Sequence, residues 1–276
     1  MQPDTFIHQG HVLAYEVHGD GPQVVVLVHG LLLDAGINRA LARAIARAGH
    51  RVVLLDLLGH GRSDRPRRAS AHRVGLYAEQ AVALLDHLGL ERAVLGGVSL
   101  GAAVALTAAV TDPDRVQGLL LEMPVLEHAA PFAAMLFVPV LLGMHYGGPV
   151  ARLGTRLMGR LPRTRIDAID SFMDAASMHP REITAVLHGL LMGALGPTEE
   201  ARAAITAPTL VIGHSGDPLH PLDDAARLAR QMPAATMLTA RSLAELRVRP
   251  ERLTDEIIRF LDTTWATGRV QEAGTA

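Results

Sequence analysis

Five short and almost uninterrupted apolar runs constrain this chain most. Gln23–Val28 (QVVVLV), Arg51–Asp56 (RVVLLD), Ala93–Val98 (AVLGGV), Val116–Glu122 (VQGLLLE) and Ala207–Gly213 (APTLVIG) lack the polar alternation of a half-exposed strand. Segments with helical period separate them. Ile37–Ala48 stops at Gly49; Tyr77, Ala81, Leu84 and Leu88 recur before Gly89; Leu100–Val110 is a run of small residues. A strand–helix–strand order of this kind predicts a parallel sheet buried on both faces. Val12–Val17 does alternate, as an antiparallel edge strand would.

The rhythm stops after Pro124 and returns only at Ala207. The text between is helical, with no convincing strand. Asp223–Gln231 then reads as a helix, Thr236–Ala240 as a strand and Pro250–Leu261 as a last helix with Pro at its start. The predicted organisation is an α/β core made of residues 1–124 and 207–262, a helical cap at 125–206, and a flexible polar tail at 263–276.

Composition narrows the function. The 276 residues contain no Cys, which excludes a thiol nucleophile, a disulfide framework and a cysteine zinc site. All basic residues are Arg; without Lys there is no Schiff base and no Walker phosphate loop. A net charge of -2 argues against a general nucleic-acid binder. No H-E-x-x-H occurs, and neither a metal nor another cofactor is expected. The apolar stretch Pro131–Met144 is too short to span a bilayer, and MQPDTFIHQG has no signal-peptide pattern, so the expected location is cytoplasmic.

Chemistry is carried by Gly97-Val98-Ser99-Leu100-Gly101, a G-x-S-x-G placed between a predicted strand and a predicted helix. Glycine at both flanks allows close backbone approach, so that the serine hydroxyl stands above the sheet. The helix N-terminus offers free N–H groups to a developing oxyanion. The bland alternative is an ordinary serine N-cap on a glycine-rich turn.

With LVHG (Leu27–Gly30), DLLGHGRSD (Asp56–Asp64), GVSLG (Gly97–Gly101) and PTLVIGHSGDPLHP (Pro208–Pro221) in this order, the chain resembles the α/β-hydrolase fold family over almost its whole length. The resemblance implies Ser99 as nucleophile, the backbone N–H groups of Leu31 and Leu100 as oxyanion hole, and Asp217 as the acid. It places a lid at 125–206. A Ser in the elbow speaks against the epoxide-hydrolase and haloalkane-dehalogenase branches. The family's His belongs after the last strand, about seven residues before a Pro-Glu. Pro250-Glu251 is present, but the earlier position reads Ser242-Leu243, and no His follows His220.

A serine without a base is a poor nucleophile. His220 is the favoured substitute, although three residues is a short separation for a ring that must stand between Asp217 and Ser99. His214 is the next candidate, and His128 and His145 lie in the cap. Glu122 ends a strand where some relatives place the acid, and so is an alternate for Asp217. Glu245, two residues after the missing His position, is in principle a carboxylate base but reads more often as an ion-pair partner for Arg247 or Arg249; His29 and His60 read as positioning residues, and Arg62 and Asp64 as loop-fixing.

The cap text PFAAMLFVPVLLGMHYGG is apolar and Met-containing, which suits a lipophilic acyl substrate. The same text also suits plain packing of the cap on the core, the seal of a homodimer, or contact with a membrane surface. The leading expectation is a serine hydrolase of a small-to-medium lipophilic ester or thioester, esterase-like and acting by acyl transfer to Ser99. The alternative is a non-hydrolytic member of the same fold, a ligand-binding pseudoenzyme or a proton-transfer enzyme.

Overall fold

The computed structural model describes residues 4–126, 129–217, 219–242, 245–248 and 251–274. Eight strands form one sheet: β1 (Asp4–His8), β2 (His11–His18), β3 (Val24–Val28), β4 (Arg51–Leu55), β5 (Ala93–Val98), β6 (Val116–Glu122), β7 (Thr209–His214) and β8 (Ala235–Ala240). Their order is β1-β2-β4-β3-β5-β6-β7-β8. From β4 to β8 all neighbours are parallel, and β2 joins β4 antiparallel.

The unbroken apolar runs follow from burial on both sides. Successive side chains of a strand point to opposite faces. Val24, Val26 and Val28 therefore meet helices α2 (Val74–His87), α3 (Leu100–Thr111) and α9 (Leu222–Gln231) through Tyr77, Leu84, Leu106 and Leu228. Val25 and Leu27 turn to the other face, where Leu41 and Ile45 of α1 (Arg39–Arg47) and Leu253, Ile257 and Leu261 of α11 (Glu251–Gly274) cover the sheet.

Two expectations change at the ends of the chain. The alternating strand at Val12–Val17 is not the edge, because β1 pairs outside it through a two-residue turn. That turn is Gln9-Gly10, with φ of 49° and 78°, the left-handed pair that closes a hairpin with the twist of its strands. The strand is weakly marked in sequence, since of its residues only Phe6 is buried, stacked on His87. At the other end, α11 runs past Thr263 to Gly274. Just beyond that residue Thr264 is buried, its carbonyl accepts a hydrogen bond from Gln117 Nε2 at 3.0 Å, and Trp265 packs on the core. Leu243, Pro250 and His128 lie outside the described residues.

Between β6 and β7 the described residues hold only helices: α4 (Ala129–Tyr146), α5 (Gly148–Gly159), α6 (Asp167–Ser177), α7 (Pro180–Leu191) and α8 (Glu199–Ala203). α4 runs through Pro139. Phe137, Val140, Leu141 and Met144 on one face of α4 pack against Met178, Ile183 and Leu187, together with Leu31 and Leu32 from the loop after β3.

The C-terminal ends of β6 and β7 are tied by buried charge. Glu122 Oε2 accepts from Arg247 Nη2 at 2.7 Å, and Oε1 lies 3.0 Å from His214 Nε2. His214 Nδ1 lies 3.0 Å from the Ser242 carbonyl, and all three side chains are buried. Arg247 stands on the short helix α10 (Glu245–Val248), so this cluster holds the chain after β8 against the sheet. Burial works against the charge on Glu122, but Arg247 and His214 outweigh it and hold the carboxyl below the ordinary value of 4.5.

Two stability measurements follow from this packing. A Cβ at Gly96 would stand 2.2 Å from the Leu120 carbonyl oxygen on β6. Gly96→Ala should therefore cost about 2 kcal/mol or more in urea unfolding, the scale of an overpacked core. Glu122→Gln leaves Arg247 buried without its counter-charge and should cost about 3 kcal/mol near neutral pH. Because the folded carboxyl titrates below its unfolded value, this contribution is whole above about pH 4.5 and is lost as pH falls through the lower folded value. The melting-temperature gap between the two proteins should close in acid.

Candidate active site

Ser99 stands at the turn from β5 into α3, with φ of 55° and ψ of -108°. A non-glycine residue held in that region is strained and persists only where its surroundings force it. Here the neighbours do so. A Cβ at Gly97 would stand 2.1 Å, and one at Gly101 2.2 Å, from the Val28 carbonyl oxygen. Glycine at both positions lets β5 and α3 close onto the end of β3, and the serine between them is pushed out above the sheet. Ser99 N–H donates to the Glu122 carbonyl at 2.9 Å, which fixes the turn from the other side.

The loop after β3 lies beside the serine. A Cβ on Gly30 would be 3.8 Å from Ser99 Cβ. His29 holds this loop, its Nδ1 2.8 Å from the Gly30 carbonyl and its Nε2 accepting from Leu57 N–H at 3.1 Å. The first contact makes Nδ1 the protonated nitrogen, as the acceptor role of Nε2 requires. Asp56 braces the same region. Its Oδ1 accepts from Ala35 N–H at 2.7 Å and its Oδ2 from Arg62 N–H at 2.9 Å. Among the described residues, the N–H groups of Leu31 and Leu100 donate no hydrogen bond within the protein. Leu100 is the first residue of α3, where N–H groups lack intrahelical partners.

The segment after β7 brings the other two groups. Asp217 Oδ1 accepts from the N–H of Leu219 at 2.9 Å and of His220 at 3.3 Å. This side-chain turn coils the chain so that the His220 ring folds back over its own acid. Nδ1 lies 2.6 Å from Asp217 Oδ2, and Nε2 lies 2.9 Å from Ser99 Oγ. Both side chains are buried. With Asp217 ionised, Nδ1 carries the proton donated to it and Nε2 is left to accept from the serine hydroxyl. The short sequence separation is thus no obstacle. An Asp followed three residues later by His, on a loop opening a helix, is the pattern that reveals it.

The remaining candidates are placed elsewhere. Glu122 is engaged with Arg247 and His214, His214 with Glu122 and the Ser242 carbonyl, and neither hydrogen-bonds Ser99 through its side chain. Glu245 pairs with Arg252 at 2.8 Å rather than with Arg247, which goes to Glu122. Arg249 lies outside the described residues. His145 is exposed beside Tyr146. His60 is buried against His29 and the Leu58 carbonyl, with burial and then the neighbouring His29 pushing its pKa well down. Asp64 accepts from Val12 N–H at 2.8 Å. A cavity of about 550 Å³ lined by Arg92, Gln117, Thr206 and Pro208 opens at the opposite end of the strands and contains none of these residues. Among the described residues no three or more His, Asp or Glu side chains are grouped to hold a metal ion.

Comparison with known proteins bears on the family and the fold. The family model for the alpha/beta hydrolase fold matches residues 23–241. The chain is 30% identical over 249 residues to a 2-hydroxy-6-oxononadienedioate/2-hydroxy-6-oxononatrienedioate hydrolase of Pseudomonas putida, covering 82% of each chain. It is 31% identical over 231 residues to the magnesium-chelatase 30 kDa subunit of Rhodobacter capsulatus, covering 79% of this chain and 78% of that one. Among solved structures it superposes on the enol-lactonase from Burkholderia xenovorans LB400 with a TM-score of 0.75 at 19% identity, covering 94% of this chain and 100% of that one. An esterase from Thermogutta terrifontis gives 0.74 at 23% identity, covering 96% and 99%. With its serine elbow on β5, its parallel sheet and the matched family model, the chain belongs to the alpha/beta hydrolase fold family.

Proposed function

We propose that this protein is a serine hydrolase that cleaves a lipophilic ester or thioester through an acyl-enzyme on Ser99. The observation that carries the reading is the unbroken chain from Ser99 Oγ to His220 Nε2 at 2.9 Å and from His220 Nδ1 to Asp217 Oδ2 at 2.6 Å. Ser99 Oγ attacks the substrate carbonyl carbon while His220 takes its proton. Asp217 holds the ring and balances the imidazolium charge. The N–H groups of Leu31 and Leu100 receive the oxyanion. Collapse expels the alcohol or thiol with the proton from His220. A water activated by the same imidazole then releases the acid.

The lipophilic preference rests on the helices inserted between β6 and β7, which act as a lid. Phe137, Val140, Leu141 and Met144 are half-buried beside Leu31 and Leu32, on the loop that borders Ser99. The relatives named as a dienedioate hydrolase, an enol-lactonase and an esterase support hydrolysis as the reaction class. The non-hydrolytic alternative drew on the lack of a His after β8. The imidazole from the β7 loop, 2.9 Å from Ser99 Oγ, weighs in favour of hydrolysis.

The test is labelling with an alkyl fluorophosphonate and turnover of a medium-chain p-nitrophenyl ester. Ser99 should be the labelled residue, and Ser99→Ala should abolish both signals. His220→Ala should lower kcat by on the order of 10⁴–10⁶ while the protein remains folded by circular dichroism. Absence of labelling in folded protein that binds an apolar fluorophore in competition with the ester would overturn the reading.

A further inference from the structure

Helices α4 and α5 carry an apolar surface that the fold leaves uncovered. α4 is apolar on both sides. Its packed side meets α7, whereas Met135, Leu136, Leu142 and Tyr146 are exposed, Tyr146 at 78%. α5 continues the surface with Val150, 79% exposed, Leu153 and Leu157, and Leu161 follows just beyond its end. These residues recur at intervals of three or four, so they share one stripe of the helix, away from buried Thr155. A helix apolar all round normally lies inside a core or a bilayer.

A second row runs beside the stripe. Arg152, Arg156 and Arg160 follow one another at four-residue spacing, are all exposed, and have no carboxylate partner among the described residues. From Ala129 to Ile166 the sequence contains these three, Arg163 and Arg165, and no Asp or Glu, in a chain of net charge -2. Of the five, Arg163 is paired, with Asp174. Apolar and cationic rows side by side on an exposed helix are the pattern of a segment lying in a membrane interface. A second copy of the same face would set cation against cation. An anionic bilayer satisfies both rows at once. Among the described residues no single helix is long and apolar enough to cross a membrane; α4 and α5 together have the length and apolarity, but they are bent by 110°, and the arginine row on α5 belongs at a headgroup surface rather than in the hydrocarbon.

We propose that the α4–α5 face docks this protein on the surface of an anionic phospholipid bilayer, with the apolar stripe entering the headgroup boundary and the Arg152–Arg156–Arg160 row meeting lipid phosphates. The proposal stands on this surface alone and is independent of the chemistry at Ser99.

The test is cosedimentation of the full chain with vesicles of phosphatidylcholine alone, or with about a third phosphatidylglycerol to give the negative surface potential. Binding should be at least about tenfold tighter to the anionic vesicles and should weaken at about 0.5 M salt as screening shortens the field. Replacing the three arginines by Gln should weaken it by on the order of a hundredfold, at a decade for each 1.4 kcal/mol. Leu142→Glu with Leu153→Glu should abolish it, with the melting temperature unchanged because both positions are exposed. Three outcomes would overturn the proposal. The chain stays in the supernatant with anionic vesicles at low salt, the double Glu variant binds as well as the parent, or light scattering shows a homodimer that this variant splits.

Discussion

The carbonyl oxygen of Val28 is the point on which the molecule turns. It stands where the missing side chains of Gly97 and Gly101 would be, at 2.1 and 2.2 Å from those unbuilt Cβ atoms. Three elements, β3, β5 and α3, converge on it more closely than any side chain allows. The convergence leaves Ser99 no relaxed conformation, and it sets the following helix so that its first N–H groups face the same space. The loop after β3 is brought beside the serine by the same contact. Strain at one residue is sustained by close packing in all its neighbours.

Much of this was legible because it is written in local grammar. The doubly buried strands announce themselves as apolar runs, and the elbow as two glycines around a serine at a strand–helix junction. What stayed hidden depends on partners far away in sequence. β1 is a strand through its pairing with β2, and Tyr15 and His87 receive its Phe6. α11 runs past Thr263 where Gln117, far away in sequence, reaches the carbonyl of Thr264. In the candidate site, Ser99 and Asp217 were readable from position. The arrangement of His220 was harder, since it depends on a side-chain turn rather than on a strand end. Glu122 and His214 are chemically credible in sequence, and nothing local in it foretells that Glu122 pairs with Arg247 and His214.

That pairing shows how the fold uses the place after β8. Relatives are expected to carry an imidazole there. In this chain a guanidinium enters instead and neutralises a buried carboxylate at the end of β6. The C-terminal ends of β6 and β7 are joined by charge, and Arg247 on α10 ties the chain after β8 to them. The inserted helices make the opposite choice. α4 spends one apolar side on α7 and the loop after β3, and leaves its other side uncovered.

An acid and an imidazole on one short loop also behave as one body. Asp217 grips the backbone of Leu219 and His220 as well as the ring, so the pair is internally cross-braced. Any swing of this loop, hinged near Gly216 with its φ of 76°, carries both groups together. Such a motion would stretch the contact to Ser99 while the carboxylate and ring stayed joined. The seam therefore lies between the loop and the elbow, and a rearrangement there would part His220 from Ser99 while leaving it joined to Asp217. The pair is also portable: exchange of a single loop would move the carboxylate and the imidazole at once.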